Sequence, residues 1–177
     1  PVPEGEPPAD VVRALARLER DLKGVAVCHA SGMLTAAVLD PVKARGATVF
    51  SFHPIQAFPR TFPFAEIVPN IRGIYYGVDG PAAGVRAAFA LARALKGYVI
   101  EVPPAMREFY HAAAVVASNH LTTLFGVLHD MSAAFAPEGT DWMSIYFPII
   151  MGSIGNARAA TPAVALTGPI ARGGVET

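Results

Sequence analysis

The stretch VAVCHASGMLTAAVLDPVKARGATVFSFHP, residues 25–54, decides the fold class because it holds a complete strand–helix–strand pattern. VAVCH (25–29) and ATVFSF (47–52) are short apolar runs typical of buried strands. Residues 34–45 between them are predicted to form a short helix. A right-handed crossover through this helix would place the two strands side by side and parallel.

The alternation of strands and helices continues on both sides of this stretch. An amphipathic helix is predicted ahead of it, over residues 9–23, and GIYYGV (73–78) is the predicted third strand. A helix over residues 82–95 then leads to a fourth strand, YVIEV (98–102). Strands that alternate with helices in this way predict an α/β domain with a largely parallel sheet.

The pattern becomes purely helical after the proline pair at 103–104. One long alanine-rich helix is predicted from about residue 105 to 136 and a second helix from about 140 to 157. A loop-like tail follows and is expected to enter another helix at its very end. We therefore expect an α/β domain over residues 1–102 and an all-α domain over residues 103–177.

The long helix is apolar nearly all round at residues 112–117. A helix without a polar face must be covered by other helices or by another subunit. Because the remaining helical sequence is too short to cover it, the sequence predicts a homodimer formed through the helical domain, with additional chain as the alternative cover.

The composition argues against several function classes. The 177 residues contain 14 basic and 14 acidic side chains, so a broad nucleic-acid-binding surface is not expected. Cys28 is the only cysteine, which excludes an internal disulfide and fits a cytoplasmic protein. The first residues do not resemble a signal peptide, and the apolar stretches are too short or too interrupted for membrane spans. The expected partner is a small molecule.

Two histidines follow the two strands of the opening stretch. Pro54 is expected to end the second strand, because it has no amide N–H, and to fix the direction of His53. His29 precedes Ser31 and Gly32, and a glycine allows the backbone to approach a ligand closely. The functional interpretation is a wall beside a cofactor ring, with His53 available for proton transfer. The alternative is two histidines that cap loop backbone.

Four polar side chains interrupt the alanine-rich helix, namely Tyr110, His111, Ser118 and Asn119. His111 and Ser118 share one broad face of the helix, and Asn119 lies at its margin. Buried polar groups need hydrogen-bond partners. The partner is either a bound substrate, which would make His111 and Asn119 site residues, or a facing helix or subunit.

Other chemistries have weaker support. No metal site is predicted, since the five histidines do not occur in a ligand spacing such as H-E-x-x-H. Ser31 or Cys28 could be a nucleophile activated by His53, but Ser31 does not lie in the G-x-S-x-G pattern of a nucleophile elbow. Arg172 could bind an anion, or it could be a solvated surface side chain.

Four ordered motifs carry a resemblance to a known family. They are VCHASG (27–32), GATVFSFHPIQAF (46–58), YHAAAVVASN (110–119) and LTGPIARG (166–173). The sequence resembles a bacterial group in which a Rossmann-like domain precedes a helical domain of unknown function. That group is similar to coenzyme-F420-dependent NADP oxidoreductases and to the 6-phosphogluconate dehydrogenase superfamily.

The resemblance implies a dinucleotide-binding domain, a helical dimerisation domain and an active site between them. Prephenate dehydrogenases have a similar His-Pro pair whose histidine contacts the substrate hydroxyl, which would correspond to His53. Two departures are visible. No G-x-G-x-x-G occurs in the chain, so the Rossmann-like domain is expected to be a second half with weak NADP or NAD binding. Arg172 is followed by Gly173-Gly174, where the family usually has Gly-Asp.

The expected function is NAD(P)-dependent hydride transfer to or from a small hydroxy, keto or imino compound. His53 would be the acid/base, and His111 and Asn119 would position the substrate. His29, Ser31, Gly32 and Pro54 would border the cofactor. The alternative is a non-catalytic homodimeric module of the same fold that binds a ligand, so whether the protein is an enzyme stays open. The substrate does not follow from the sequence.

Overall fold

The computed structural model describes residues 12–14, 17, 21–58, 61 and 63–173. Four strands form its sheet: β1 (Ala26–His29), β2 (Thr48–Pro54), β3 (Tyr75–Asp79) and β4 (Tyr98–Glu101). The α-helices are α1 (Asp40–Lys43), α2 (Phe64–Ile67), α3 (Ala82–Ala94), α4 (Arg107–Val115), α5 (Leu121–Ala133), α6 (Trp142–Ala159), α7 (Pro162–Ala165) and α8 (Gly168–Ala171). Short 3-10 turns cover Ala36–Leu39, Val68–Ile71 and Pro104–Met106, and a π-helical turn covers Val116–His120.

The strands lie in the order β1-β2-β3-β4, which confirms a Rossmann-like α/β sheet but corrects its direction. β1 pairs with β2, and β3 with β4, in parallel, whereas β2 and β3 are antiparallel. The connection from β2 to β3 contains only short helical turns and no long crossover helix. The chain therefore enters β3 at the edge where β2 ended, and strands joined in this way run antiparallel.

The strand β2 ends at Pro54, as the sequence predicts. The proline itself still belongs to the sheet, because it pairs with Tyr76 of β3. The Ile55 amide donates to the Tyr75 carbonyl oxygen at 2.9 Å, so the next residue back along β2 has its nitrogen directed away from β3. That side of β2 is free at this level, because β1 has already ended. Proline fits such a position because no donor is needed there.

One face of the sheet is covered by α3. Ala88 and Ala92 of the helix are buried against Phe50, Phe52 and other residues of β2 and β3. The helix approaches β2 so closely that a side chain at Gly84 would overlap the Val49 carbonyl oxygen. A second cluster, around Val42, Leu39 and Val49, packs the segment between β1 and β2.

The helical part matches the prediction in outline. The predicted helix over residues 105–136 is observed as the helical run 104–133, interrupted by the π-helical turn, which the sequence analysis did not predict. The second helix, α6, begins after Asp141, whose carboxylate accepts a hydrogen bond from the Met143 amide at 3.1 Å. The tail, expected to be loop-like before a last helix, forms the short helices α7 and α8. The very end of the chain, residues 174–177, lies outside the described residues.

The chain forms two compact units, Pro1–Asn119 and His120–Thr177. The first contains the sheet and α4, and the second contains α5 to α8. The division into domains 1–102 and 103–177 stays a prediction. Most of the helix predicted over residues 9–23 lies outside the described residues, although residues 12–14 are helical. No helix in the described part of the chain is long and apolar enough to cross a membrane.

Candidate functional site

A hydrogen-bonded pair of aromatic side chains lies at the carboxyl end of β2. The hydroxyl oxygen of Tyr110, on α4, is 2.7 Å from Nδ1 of His53. The His53 ring also meets the His111 ring, with the ring centres 6.1 Å apart. Since residues 110 and 111 are consecutive on α4, one turn of this helix brings both side chains to His53.

The close approach of Tyr110 depends on a glycine in β3. Gly77 is the partner of His53 in the antiparallel register. A Cβ atom at Gly77 would overlap the Tyr110 hydroxyl oxygen, so the phenol lies directly on the backbone of β3. A glycine within a strand often marks such an approach.

A second glycine lets the loop after β1 reach the two histidines. A Cβ atom at Gly32 would lie 2.9 Å from Nε2 of His53 and would overlap Nδ1 of His111. The structure thus brings together three residues that the sequence analysis selected separately, His53, His111 and Gly32. A ring nitrogen of each histidine faces the loop that was expected to border a cofactor.

A buried ion pair anchors this part of α4. Arg107, the first residue of α4, is 1% exposed, and its Nε lies 3.4 Å from a carboxylate oxygen of Asp79. Its Nη2 donates to the Ser31 carbonyl oxygen at 2.8 Å. Asp79 also accepts from the Ser51 hydroxyl at 2.9 Å and the Ala36 amide at 2.6 Å. The network fixes α4 relative to β2, β3 and the loop after β1.

His29 holds the same loop through both of its ring nitrogens. The Ser31 amide donates to Nδ1 at 3.2 Å, so the ring proton lies on Nε2, which donates to the Thr35 carbonyl oxygen at 3.0 Å. This geometry corresponds to the loop-capping alternative. A role for His29 beside a cofactor stays a prediction.

The electrostatics of the site favour uncharged side chains. Burial, together with the nearby Arg107 guanidinium and His111, lowers the pKa of His53 to about 4. Burial raises the pKa of Tyr110 above its usual value. At neutral pH, His53 is therefore a neutral imidazole and Tyr110 a neutral phenol. The contact between them is a hydrogen bond between two uncharged groups.

Three buried nitrogen atoms of the site have no hydrogen-bond partner within the described residues. They are Nδ1 of His111 and both Nη1 and Nε of Arg107, of which Nε still lies within ion-pair distance of Asp79. Unpaired buried polar atoms are costly unless a water or ligand satisfies them. The His111 nitrogen faces Gly32, so a polar group bound at this loop would fit the chemistry of the site.

The other predicted site residues have different surroundings. Asn119 is exposed in the π-helical turn, about 12 Å along the helix from His111. Pro54 is half-buried within β2. The Ser31 hydroxyl oxygen accepts a hydrogen bond from the Leu34 amide at 3.2 Å, within its own loop. Cys28 and Arg172 are exposed.

The sequence analysis missed the roles of three residues. Tyr110 was noted only as a polar interruption of the helix, and Arg107 and Gly77 were not selected. Tyr110 and His111 follow Arg107 by three and four residues, which places all three on one face of the helix. This spacing is the feature of the sequence from which their shared site could have been predicted.

The sequence profile of a family described as "Domain of unknown function (DUF2520)" matches residues 74–177. No curated protein shows significant sequence similarity to the chain.

Two solved structures share the fold. Protein TM1727 from Thermotoga maritima superposes with a TM-score of 0.70 at 22% identity, over 95% of this chain and 62% of that protein. The protein of Bacteroides fragilis named "putative NADP oxidoreductase BF3122" gives a TM-score of 0.70 at 16% identity, over 93% of this chain and 59% of that protein. The chain therefore spans about three fifths of each relative. At these identities the likeness shows a shared Rossmann-like fold.

Proposed function

The chain belongs to the DUF2520 family, and from this premise we propose that it forms part of an NAD(P)-dependent oxidoreductase. The reaction is hydride transfer to or from a small hydroxy, keto or imino compound. The observation that carries the proposal is the convergence of His53 and His111 on Gly32, at the carboxyl edge of β1 and β2. Open α/β sheets bind their ligands at this edge.

The shared fold with a protein named for NADP oxidoreduction supports the same reaction class. We also propose that the chain is related to F420-dependent NADP oxidoreductases and to the 6-phosphogluconate dehydrogenase superfamily.

His53 is the acid/base of the proposed site. Because its pKa lies at about 4, it acts at neutral pH as an uncharged imidazole. A neutral imidazole with a protonated ring nitrogen toward the substrate can polarise a substrate carbonyl by donating one hydrogen bond. His111 contacts the same substrate oxygen through Nδ1, which is otherwise unpaired, and Asn119 contacts a more distant part of the substrate.

The loop after β1 and the end of β2 border the cofactor. Ser31 and Gly32, with His29 and Pro54, would lie beside the nicotinamide ring, which supplies or accepts the hydride when bound. No residue set for the pyrophosphate is proposed within this chain, because it contains no G-x-G-x-x-G turn.

A second copy of the chain is the proposed partner. On α5 and the turn after it, four exposed apolar side chains follow at helical spacing. They are Leu124, Val127, Met131 and Phe135, and we call them the α5 stripe. A long apolar stripe of this kind is typical of helices that pack on another subunit.

Calorimetric titration with NADPH and NADH tests the cofactor site. The substitution Gly32→Ala forces a methyl group against both histidines and is expected to weaken binding at least tenfold. Gly152→Ala is the matched control, since a side chain there meets nothing within 4 Å. Equal affinity of the Gly32→Ala variant and the control would contradict the proposed site.

A further inference from the structure

We infer that Tyr110 is a positioning residue that fixes the tautomer of His53, so that the ring proton lies on Nε2, facing Gly32 and His111. The inference concerns the same site as the proposed function and adds a residue to it. It does not need the identity of cofactor or substrate, because the protonated nitrogen of His53 can be observed in the protein alone.

The contact between the two side chains allows only two arrangements. The Tyr110 oxygen and His53 Nδ1 are 2.7 Å apart, so one proton lies between them. Either the phenol donates to a bare Nδ1, or a protonated Nδ1 donates to the phenol oxygen. In the first arrangement the proton of the neutral imidazole must lie on Nε2.

The surroundings of the phenol favour the first arrangement. The Tyr110 hydroxyl lies against the backbone of Gly77, whose amide can act only as a donor. The Arg107 guanidinium, 5.3 Å from the ring centre, also carries only donors. If Nδ1 donated to the phenol oxygen, the phenol proton would have to turn toward the Gly77 amide or the Arg107 guanidinium, which both carry only donors. His53 Nδ1 is the acceptor at hand.

The surroundings of His53 are consistent with this direction. Its Nε2 faces Gly32, on the side where the unpaired Nδ1 of His111 also lies. A proton on Nε2 therefore points into the proposed substrate position. The charged and titratable groups that face this ring are Arg107 with its partner Asp79, Tyr110 and His111.

The position of Tyr110 is itself fixed from two sides. Gly77 leaves space for the phenol on β3, and Arg107 anchors the same turn of α4 through Asp79 and the Ser31 carbonyl group. The phenol is therefore held by rigid elements, as a residue that orients an acid/base must be.

Nitrogen-15 NMR of the histidine-labelled protein at pH 7 tests the inference directly. In the wild type, Nδ1 of His53 is expected to give the resonance of an unprotonated ring nitrogen and Nε2 that of a protonated one. In Tyr110→Phe, the ratio of the Nε2–H to the Nδ1–H tautomer is expected to fall severalfold. Tyr75→Phe, which removes the hydroxyl of an exposed tyrosine on β3, should leave the ratio unchanged.

Gly77→Ala provides a second variant. It keeps the hydroxyl of Tyr110 but displaces it, so it should change the ratio as Tyr110→Phe does. A wild-type His53 with its proton on Nδ1, or a ratio unaffected by both substitutions, would overturn the inference. The wild-type spectrum decides the matter even if a variant does not fold. Absence of NADPH binding, even with a glycine-rich strand–turn–helix placed ahead of the chain, would count against the proposed function and leave this result untouched.

Discussion

Two glycines of the site matter because they have no side chain, and three aromatic side chains matter because they pack in the space that this leaves. Gly32 and Gly77 have no side chain, and each gives space to an aromatic ring from α4. His53 lies between them, and its ring contacts the rings of both Tyr110 and His111. The site is therefore sensitive to additions at the glycines and to removal of the rings.

The substitution Gly77→Ala is expected to lower the free energy of unfolding by about 1–3 kcal/mol, because the new methyl group overlaps the Tyr110 hydroxyl. Urea denaturation measures the change. Gly126→Ala, within α5 and with nothing near its Cβ position, should instead raise the stability by about 0.5–1 kcal/mol through helix propensity. Equal effects of the two substitutions would contradict the packing at β3.

The stability of the protein should depend on the protonation of His53. Its pKa is about 4 in the folded protein, below the value of about 6.5 that is usual for a histidine, so the unfolded chain binds more protons between these pH values. Stability is then complete above pH 6.5 and is lost as the pH falls toward 4. Because the ring is partly solvated, the expected loss is only about 1–2 kcal/mol.

Urea denaturation at pH 7 and at pH 4.5 checks this dependence. The difference between the two pH values should be smaller in His53→Gln than in the wild type, since glutamine does not titrate. An unchanged difference would assign the pH dependence to other groups, such as His29, whose pKa is also lowered by burial.

The elements are joined by the ion pair between α4 and β3. Arg107 and Asp79 are both nearly inaccessible to water, and removing one partner leaves the other charge buried. We expect Arg107→Met and Asp79→Asn each to lower the free energy of unfolding by about 3–5 kcal/mol. A double-mutant cycle should show that the combined loss is much less than the sum of the two. Additive losses would mean that the two side chains do not interact.

The exposed face of α5 bears on the proposed dimer. Two glutamates in the α5 stripe, Leu124→Glu and Met131→Glu, would place charges in an apolar interface. Sedimentation velocity at micromolar concentration is expected to give a dimer for the wild type and a monomer for this variant. Val164→Glu, at an exposed apolar position on α7, is the matched control and should stay dimeric. A wild-type monomer would reject the second copy as partner.

The elements also mark the limit of prediction from the sequence. The four strands were predicted because each is a short apolar run, and the crossover before β2 followed from its length. The direction of β3 was not predicted correctly, because it depends on the path of the chain between Pro54 and Tyr75. The contact of Gly77 with Tyr110 joins residues on different elements, and no local pattern records it. Gly32 and His53 were found because strand ends meet at one edge.

The whole chain covers only part of its structural relatives, and this bears on the cofactor. A dinucleotide is held mainly by the backbone amides of a glycine-rich turn, which is not present in these 177 residues. We expect the 177-residue chain to bind NADPH weakly, and a version preceded by a glycine-rich strand–turn–helix to bind it tightly. Calorimetric titration of both compares them. Submicromolar binding by the shorter chain would show that the cofactor site lies elsewhere.

The two glycines also constrain how the sequence can change during evolution. Gly77 can accept a side chain only in a lineage that has first replaced Tyr110 by something shorter, so the two positions should vary together. A side chain at position 32 would overlap both His53 and His111, so Gly32 can be replaced only if both histidines change. In an alignment of homologues, positions 77 and 110 are therefore expected to co-vary, and position 32 to be the last of the three to drift.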